Sequence, residues 1–291
     1  MGFRHAITTV CLNAGFCIAK QADRNSIRHL IRRLHPVVTD IPLVRLGADG
    51  DGGYLVPDDL RDVAACFSPG VDNRATFESA MIERGVPCFL ADRSVDGPPF
   101  DHSMITFEHK FLGAVDDEST LTLDRWVADS APGNHDLVLQ MDIEGAEWIV
   151  LLNASPDTLR RFRIIVTEVH DLERLLDKHA FPVIEAAFSR LLHDFHLVHN
   201  HPNNSGRSVR IGDLVIPRVM EMTWLRKDRA AANGWARQFP HPLDIVNDSD
   251  STDVVLPAVW FGSPQPPAAR QVPDSRGALA WGRHAGVRRT Q

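Results

Sequence analysis

The fold is decided by the stretch Leu137-Val-Leu-Gln-Met-Asp142-Ile-Glu-Gly-Ala-Glu147, in which an apolar run leads directly into three acidic residues. The run Leu137–Met141 is short, apolar and bounded by polar residues, as expected for a buried strand. An acidic side chain at the end of a buried strand costs free energy unless it is paired, caps a helix or binds a ligand. Capping accounts for one such acid, but not for three. The stretch therefore predicts a strand that ends at a ligand-binding site, with Asp142 as the first candidate.

Short apolar runs alternate with helical patterns on both sides of this stretch. Further strands are predicted at Val63–Phe67, Pro87–Ala91, Met104–Phe107 and Arg163–Val169, and an antiparallel pair at Phe195–His199 and Val219–Leu225 is predicted to close the sheet. Helices are predicted over residues 73–84, through Trp148 and Leu152, after the capping pair Ser155-Pro156, and over residues 180–194. This alternation predicts an α/β protein of the Rossmann-like class, with a mostly parallel seven-stranded sheet flanked by helices.

Three segments are predicted along the chain. Residues 1–44 form an N-terminal helical extension, in which apolar residues recur at helical spacing between a cap at Ser26 and a stop at Pro36. Residues 45–262 form the main domain. Residues 263–291 are rich in Pro, Ala, Gly and Arg without periodicity, which predicts a disordered tail.

The composition excludes several classes of protein. The chain has 291 residues, 44% of them hydrophobic, and a net charge of −7, which argues against a nucleic-acid partner. No apolar run approaches the roughly 20 residues that a membrane span needs. The four cysteines form no CxxC pair, so we expect reduced thiols in a cytoplasmic protein. Two questions stay open: whether residues 6–19 are a signal or a packed segment, and whether the protein forms a homodimer.

The predicted strand ends carry candidates for binding a nucleoside cofactor. Gly70 follows the first strand, where a glycine lets the backbone approach a ligand, and Asp92 ends the second, where an acid can hold ribose hydroxyls. A single glycine after a strand is more often only a turn. Because the sequence lacks GxGxxG at this position, a nicotinamide dinucleotide loses its main support. Asp-Gly-Gly-Tyr54 lies ahead of the first strand, either as a tight turn or as a loop over the cofactor.

Imidazoles and carboxylates recur at the later strand ends. Glu168 and His170 alternate in phase, as do His199 and His201, so each pair leaves its strand on one face. Together with Asp142 they could hold a divalent metal or supply a general base. The alternative is a polar network that only fixes the loops.

At these residues the sequence resembles the FkbM-type methyltransferases, a branch of the class I S-adenosylmethionine-dependent enzymes. The resemblance rests on Asp-Gly-Gly-Tyr54, Phe67-Ser-Pro-Gly-Val-Asp72, Asp92, Met141-Asp-Ile-Glu-Gly-Ala-Glu147 and Glu168-Val-His170, within residues 45–225. It implies O-methylation of a hydroxyl on a sugar, glycolipid or secondary metabolite, with S-adenosyl-L-methionine as cofactor. Related class I enzymes that use Mg²⁺ hold it with acids that match Asp142 and Glu168, so Mg²⁺ or Mn²⁺ is a separate hypothesis.

These considerations give a set of expected site residues. Contacts with the cofactor are expected from Tyr54, Ser68, Gly70, Asp72, Asp92, Gln140 and Asp142. Catalysis is assigned to Asp142, with His170 or His201 as the base, and a metal would be held by Asp142, Glu168 and His170. Two alternatives remain: an NAD-type oxidoreductase or epimerase on a related sheet, and a cofactor-binding module without catalysis.

Overall fold

The centre of the molecule is a seven-stranded sheet, seen in a computed structural model that describes residues 10, 11, 13, 18–71 and 73–261. Its strands are β3 (Ala65–Pro69), β4 (Cys88–Ala91), β5 (Ile105–Glu108), β8 (Leu137–Met141), β9 (Phe162–Val169), β10 (Phe195–Pro202) and β13 (Met220–Arg226). The strand order across the sheet is β10-β13-β9-β8-β3-β4-β5. Only β13 is antiparallel to its neighbours within this sheet. The predicted mostly parallel sheet, closed by an antiparallel strand pair, is confirmed.

Helices lie between the strands in the predicted alternation. They are α1 (Arg24–Arg33), α2 (Thr76–Glu83), α3 (Leu123–Ser130), α4 (Glu147–Asn153), α5 (Pro156–Arg161) and α6 (Phe181–Asp194), with short 3₁₀ turns at Leu172–Leu176 and Ala258–Trp260. Ser155 caps α5 by accepting a hydrogen bond from the Thr158 N–H, as predicted. The predicted cap of α1 at Ser26 is wrong. Asp23 is the cap, and its carboxylate accepts from the Ser26 N–H at 2.8 Å because an acid is an equally good acceptor one turn earlier.

Strand β8 divides its side chains between two apolar clusters. Leu137, Leu139 and Met141 belong to one cluster and Val138 to the other, because successive side chains of a strand point to opposite faces. Both faces of the sheet are therefore covered, which explains why β8 reads as a continuous apolar run.

Within the described residues, three small β pairs lie outside the central sheet, and the sequence analysis did not anticipate them. They are the antiparallel pair β1 (Leu43–Gly47) with β2 (Gly53–Pro57), the parallel pair β6 (Phe111–Gly113) with β7 (Thr120–Thr122), and the antiparallel pair β11 (Ser208–Ile211) with β12 (Leu214–Pro217). The segment before Tyr54, for which both a tight turn and a loop were considered, is the turn of a hairpin. A Cβ at Gly53 would lie 2.0 Å from the Ala48 carbonyl oxygen, so this turn requires a glycine.

The N-terminal extension packs on the main domain. Ile27, Leu30 and Ile31 of α1 are fully buried in the cluster that contains Phe188 of α6. The division at residue 44 stays a prediction. The tail at 263–291, Asp72 and most of residues 6–19 lie outside the described residues. Among the described helices, none has both the length and the hydropathy to cross a membrane.

Candidate active site

Two cavities meet at the carboxyl ends of the central strands. The first, here called the apolar cleft, has a volume of about 550 Å³ and is lined by Gly70, Ala91, Asp92, Ser94, Phe111, Leu112, Asp142, Ile143, Glu144 and Ala146. The second, here called the acidic cleft, has a volume of about 620 Å³ and is lined mainly by polar residues, among them Asp51, Arg74, Glu168, His170 and Asn203. Asp142 and Glu144 line both clefts. The clefts lie where the strand order reverses, between β3 and β8, which is where open α/β sheets bind ligands.

Gly70 lets β3 and β8 approach each other at the floor of the apolar cleft. Its φ is +81°, and a Cβ there would lie 1.6 Å from the Asp142 carbonyl oxygen. No other residue fits this position without moving the backbone of Asp142. Gly70 therefore also sets the position of Asp142, and its contact with a cofactor stays a prediction.

Asp92 follows β4 and lines the apolar cleft, as its predicted role requires. Its Oδ1 accepts hydrogen bonds from the Ser94 N–H at 2.7 Å and the Ser94 hydroxyl at 2.6 Å. These bonds fix the carboxylate at the wall of the cleft.

Three of the expected cofactor residues form a buried network instead of lining a cleft. The Ser68 hydroxyl lies 2.5 Å from Gln140 Oε1 and also contacts the Glu78 carboxyl, and Gln140 Nε2 donates to the Tyr54 hydroxyl at 3.4 Å. Burial raises the pKa of the Glu78 carboxyl and that of the Tyr54 hydroxyl. Since Tyr54, Ser68 and Gln140 support the strands beneath the clefts, their contacts with a cofactor stay predictions.

The loop after Asp142 is held by a buried carboxylate. Glu147 is 0% exposed, and its Oε1 accepts from the Ile143 N–H at 2.9 Å and the Gly145 N–H at 3.3 Å. Glu144 between them has a φ of +54°, a conformation that costs free energy in a residue with a side chain. Glu147 thus fixes the loop on which Asp142 and Glu144 lie.

His170 lies among four carboxylates. Its Nδ1 is 3.2 Å from Glu147 Oε1. Its Nε2 is 3.5 Å from Glu144 Oε2, 3.8 Å from Asp142 Oδ1 and 3.9 Å from Glu168 Oε1. Burial opposes protonation, but the hydrogen bond to Glu147 and the surrounding charges outweigh it and raise the pKa of His170 to about 9.

Glu168 ends β9 and is 4% exposed. The Asn203 amide donates to its Oε1 at 2.8 Å, whereas its Oε2 is buried without a hydrogen-bond partner, as is Asp142 Oδ1. Burial, and after it the charges of neighbouring acids, raise the pKa of Asp142 and of Glu168 to about 8. These acids are therefore mostly protonated at neutral pH when nothing else balances their charge.

The residues at this point fit a divalent cation. Ligand atoms of Asp142, Glu147 and His170 lie within 4.8 Å of one another, and Glu168 adds to Asp142 and Glu147 a third buried oxygen without a hydrogen-bond partner. Carboxylate oxygens with one imidazole are donors suited to Mg²⁺ or Mn²⁺. A cation would balance the charge of acids whose burial otherwise favours their neutral forms.

His201 is held away from these clefts. His199 Nε2 and His201 Nδ1 lie 2.9 and 3.5 Å from the two oxygens of Asp244, and neither histidine lines the apolar or the acidic cleft. Burial opposes ionisation of Asp244, but the two histidines outweigh it and hold the pKa of its carboxyl well below the usual range. The expected group of carboxylates and imidazoles is therefore divided between two clusters.

Sequence reasoning gave too little weight to several residues of the clefts. In the sequence Glu147 is only one acid among three, because the inward direction of its side chain depends on the turn after β8. Asn203 appeared only as a neighbour of the paired histidines, and Phe111 of β6 gave no signal at all. The one local sign of this role is that Glu147 is the first residue of α4, from which its side chain can reach back to the loop N–H groups.

Comparison with known proteins identifies a family for the segment that carries this site. The crystal structure of a fibrillarin/Nop5p complex aligns at 13% identity over 57% of this chain and 74% of that chain, with a TM-score of 0.35. A Thermoplasma acidophilum protein, 1320, aligns at 10% identity over 69% of this chain and 96% of that chain, with a TM-score of 0.28. No curated protein matches the sequence. The family model of the methyltransferase FkbM domain matches residues 92–195, which run from Asp92 through Asp142 to Glu168 and His170. The expected resemblance to the FkbM-type methyltransferases is thereby confirmed for residues 92–195, the segment that the family model matches.

Proposed function

We propose that the protein transfers the methyl group of S-adenosyl-L-methionine to a hydroxyl of a sugar, glycolipid or secondary metabolite. The observation that carries the proposal is the meeting of an apolar and an acidic cleft at Asp142. A methyl donor in one cleft and an acceptor in the other would place the two reacting atoms on either side of this residue.

The apolar cleft suits the nucleoside part of the donor. Asp92 on its wall can accept hydrogen bonds from ribose hydroxyls, and Phe111, which is 47% exposed, offers an aromatic face for the adenine. Gly70 keeps the floor open, because a side chain there would meet Asp142.

The acidic cleft suits an acceptor with several hydroxyl groups. Its lining includes Asn203, Ser205, Asn247 and Ser249 besides the acids, so it offers many hydrogen-bonding groups. Arg74 in this cleft pairs with Asp51 at 3.1 Å, which leaves Glu168, Asp142 and His170 to face the acceptor.

The chemical step requires alignment and removal of one proton. The acceptor oxygen attacks the methyl carbon opposite the sulfonium sulfur, the carbon–sulfur bond breaks, and S-adenosylhomocysteine leaves with the electron pair. The hydroxyl proton passes to whichever of Asp142, Glu168 and His170 is deprotonated, a form that their raised pKa values favour at about pH 8 and above. Asp142, which lines both clefts, orients the acceptor oxygen toward the methyl group.

Asp142, Glu168 and His170 would hold Mg²⁺ or Mn²⁺, which when bound lowers the pKa of a neighbouring hydroxyl. This part of the proposal is independent of methyl transfer. Removal of divalent ions with EDTA, followed by Mg²⁺ or Mn²⁺ titration, tests it, and full turnover by the metal-free protein would remove it.

The proposed reaction is tested by incubating the full chain with methyl-labelled S-adenosylmethionine and a panel of sugars, glycolipids and hydroxylated metabolites. We expect label in the methyl ether of at least one acceptor, and less by about 10²-fold or more with Asp142→Asn. Label on an amine, a thiol or carbon would refute O-methylation. Binding of the cofactor without transfer to any acceptor would favour a non-catalytic module.

A further inference from the structure

The Glu147 carboxylate lies behind His170 and not in a cleft. It is 0% exposed and lines neither the apolar nor the acidic cleft. Its Oε1 accepts two backbone hydrogen bonds, from Ile143 and Gly145, and lies 3.2 Å from His170 Nδ1. One oxygen therefore connects the loop that carries Asp142 to the imidazole at the end of β9.

The contact decides which nitrogen of His170 faces the clefts. Because Glu147 Oε1 is an acceptor, Nδ1 carries a hydrogen and donates it, and Nε2 is turned toward the acids. Nε2 lies 3.8 Å from Asp142 Oδ1 and 3.9 Å from Glu168 Oε1. Both separations are below about 4.2 Å, twice the usual distance from Mg²⁺ or Mn²⁺ to a ligand atom.

Glu147 is also near enough to be a ligand itself, so the two roles must be distinguished. Its Oε1 already serves three N–H groups, and the residue has no access to either cleft. Each of the three acids Asp142, Glu147 and Glu168 has one buried oxygen without a partner, so the distinction rests on access: Asp142, Glu168 and His170 all line the acidic cleft, whereas Glu147 does not. Histidines that bind metals commonly donate their other N–H to a carboxylate in this way.

We propose that Glu147 is a positioning residue that turns Nε2 of His170 toward Asp142 and Glu168, so that these three side chains bind one divalent cation. The inference rests on the proposed function, since it assigns the cation to the acidic cleft of the proposed enzyme. Glu147 also holds the Asp142 loop through backbone bonds, so a single substitution would not separate the two effects.

A double-mutant cycle separates them. Mn²⁺ is titrated calorimetrically into the metal-free full chain, its Glu147→Gln, His170→Ala and double variants, and Glu173→Gln. The glutamine side chain of Glu147→Gln keeps an oxygen for the Ile143 and Gly145 N–H groups but removes the negative charge that strengthens the hydrogen bond from His170 Nδ1. Glu173→Gln is the matched control, because Glu173 pairs with Arg218 at 3.0 Å outside the clefts.

We expect Glu147→Gln to weaken Mn²⁺ binding about tenfold or more, and the double variant to bind no more weakly than His170→Ala alone. The control should bind like the wild type. Unchanged affinity in Glu147→Gln, additive losses in the double variant, or no Mn²⁺ binding by the wild type would each overturn the inference. Additive losses of Mn²⁺ affinity would indicate that Glu147 is itself a ligand of the cation.

Two further measurements complete the design. S-adenosylhomocysteine is titrated into the same preparations. If the wild type binds S-adenosylhomocysteine but not Mn²⁺, only this inference is overturned. If the wild type binds Mn²⁺ but not S-adenosylhomocysteine, the proposed function is overturned. If Glu147→Gln does not fold, Mg²⁺ is added to ¹⁵N-histidine-labelled wild type. The Nε2 resonance of His170 should then shift, and a shift at Nδ1 instead would contradict the assignment.

Discussion

Asp142 is the residue at which the two clefts join. Its backbone carbonyl packs against Gly70, its carboxyl lines both clefts, and its Oδ1 is buried without a hydrogen-bond partner. A carboxyl oxygen that is buried without a partner costs stability unless it serves a ligand. Its effects should therefore fall on catalysis more than on folding.

Substitution of Asp142 by Asn keeps the size of the side chain but removes its charge. We expect turnover to fall by about 10²–10⁴-fold, the range for a group that takes part in proton transfer, while S-adenosylhomocysteine binding stays within a few-fold. Asp129→Asn is the control, because Asp129 is exposed on α3 and pairs only with Arg125 among the described residues. Near wild-type turnover in Asp142→Asn would remove the residue from the mechanism.

The raised pKa of Glu168 predicts that the stability of the protein depends on pH. Burial raises the pKa of Glu168 and Asp142 to about 8, so their contribution to folding is full below about pH 4 and is lost as the pH rises through 8. His170, with a raised pKa, acts in the same direction. The metal-free protein should therefore lose stability between about pH 4 and 9.

Glu168→Gln cannot ionise and keeps an acceptor oxygen for Asn203. We expect its free energy of unfolding to be nearly equal to that of wild type below about pH 4, and higher by on the order of 1 kcal/mol or more at about pH 9. Urea denaturation in the presence of EDTA measures both. A difference that does not depend on pH would contradict the raised pKa of Glu168.

At the scale of elements, the strand ends were predictable and the small β pairs were not. The strand β8 and the acids after it follow from an apolar run that meets carboxylates. The hairpin β1–β2 carries mixed residues and a glycine-rich turn, which also suits a loop. The direction of Glu147 depends on a loop with positive φ at Glu144 and Gly145, which residue spacing does not reveal.

The role of Gly70, in the turn between β3 and α2, can be tested against a second glycine of similar conformation. Gly70 and Gly85 have similar φ values, +81° and +77°, but a Cβ would meet the Asp142 carbonyl oxygen at 1.6 Å in the first and nothing within 4 Å in the second. Gly85→Ala should cost about 1 kcal/mol and leave S-adenosylhomocysteine affinity unchanged. Gly70→Ala should cost more stability and weaken that affinity at least tenfold. Equal effects of the two substitutions would show that contact with Asp142 is unimportant.

At the scale of the whole molecule, α1 shares its core with the sheet. Leu30→Ala should lower the free energy of unfolding by about 2–5 kcal/mol, because Leu30 is 0% exposed in the main apolar cluster. Val183→Ala is the control, since Val183 is 46% exposed on α6. Urea unfolding should show one transition in both variants. A separate early transition in Leu30→Ala would make residues 1–44 an independent unit.

The central claim is that the cleft between Gly70, Asp92 and Asp142 binds the nucleoside of S-adenosylmethionine. Calorimetric titration of S-adenosylhomocysteine into the wild type and Asp92→Ala, with NAD as the competing ligand, tests it most directly. We predict saturable binding of S-adenosylhomocysteine at one site, at least tenfold weaker binding in Asp92→Ala, and no binding of NAD. Binding of NAD, or affinity for S-adenosylhomocysteine that is unchanged in Asp92→Ala, would contradict the account.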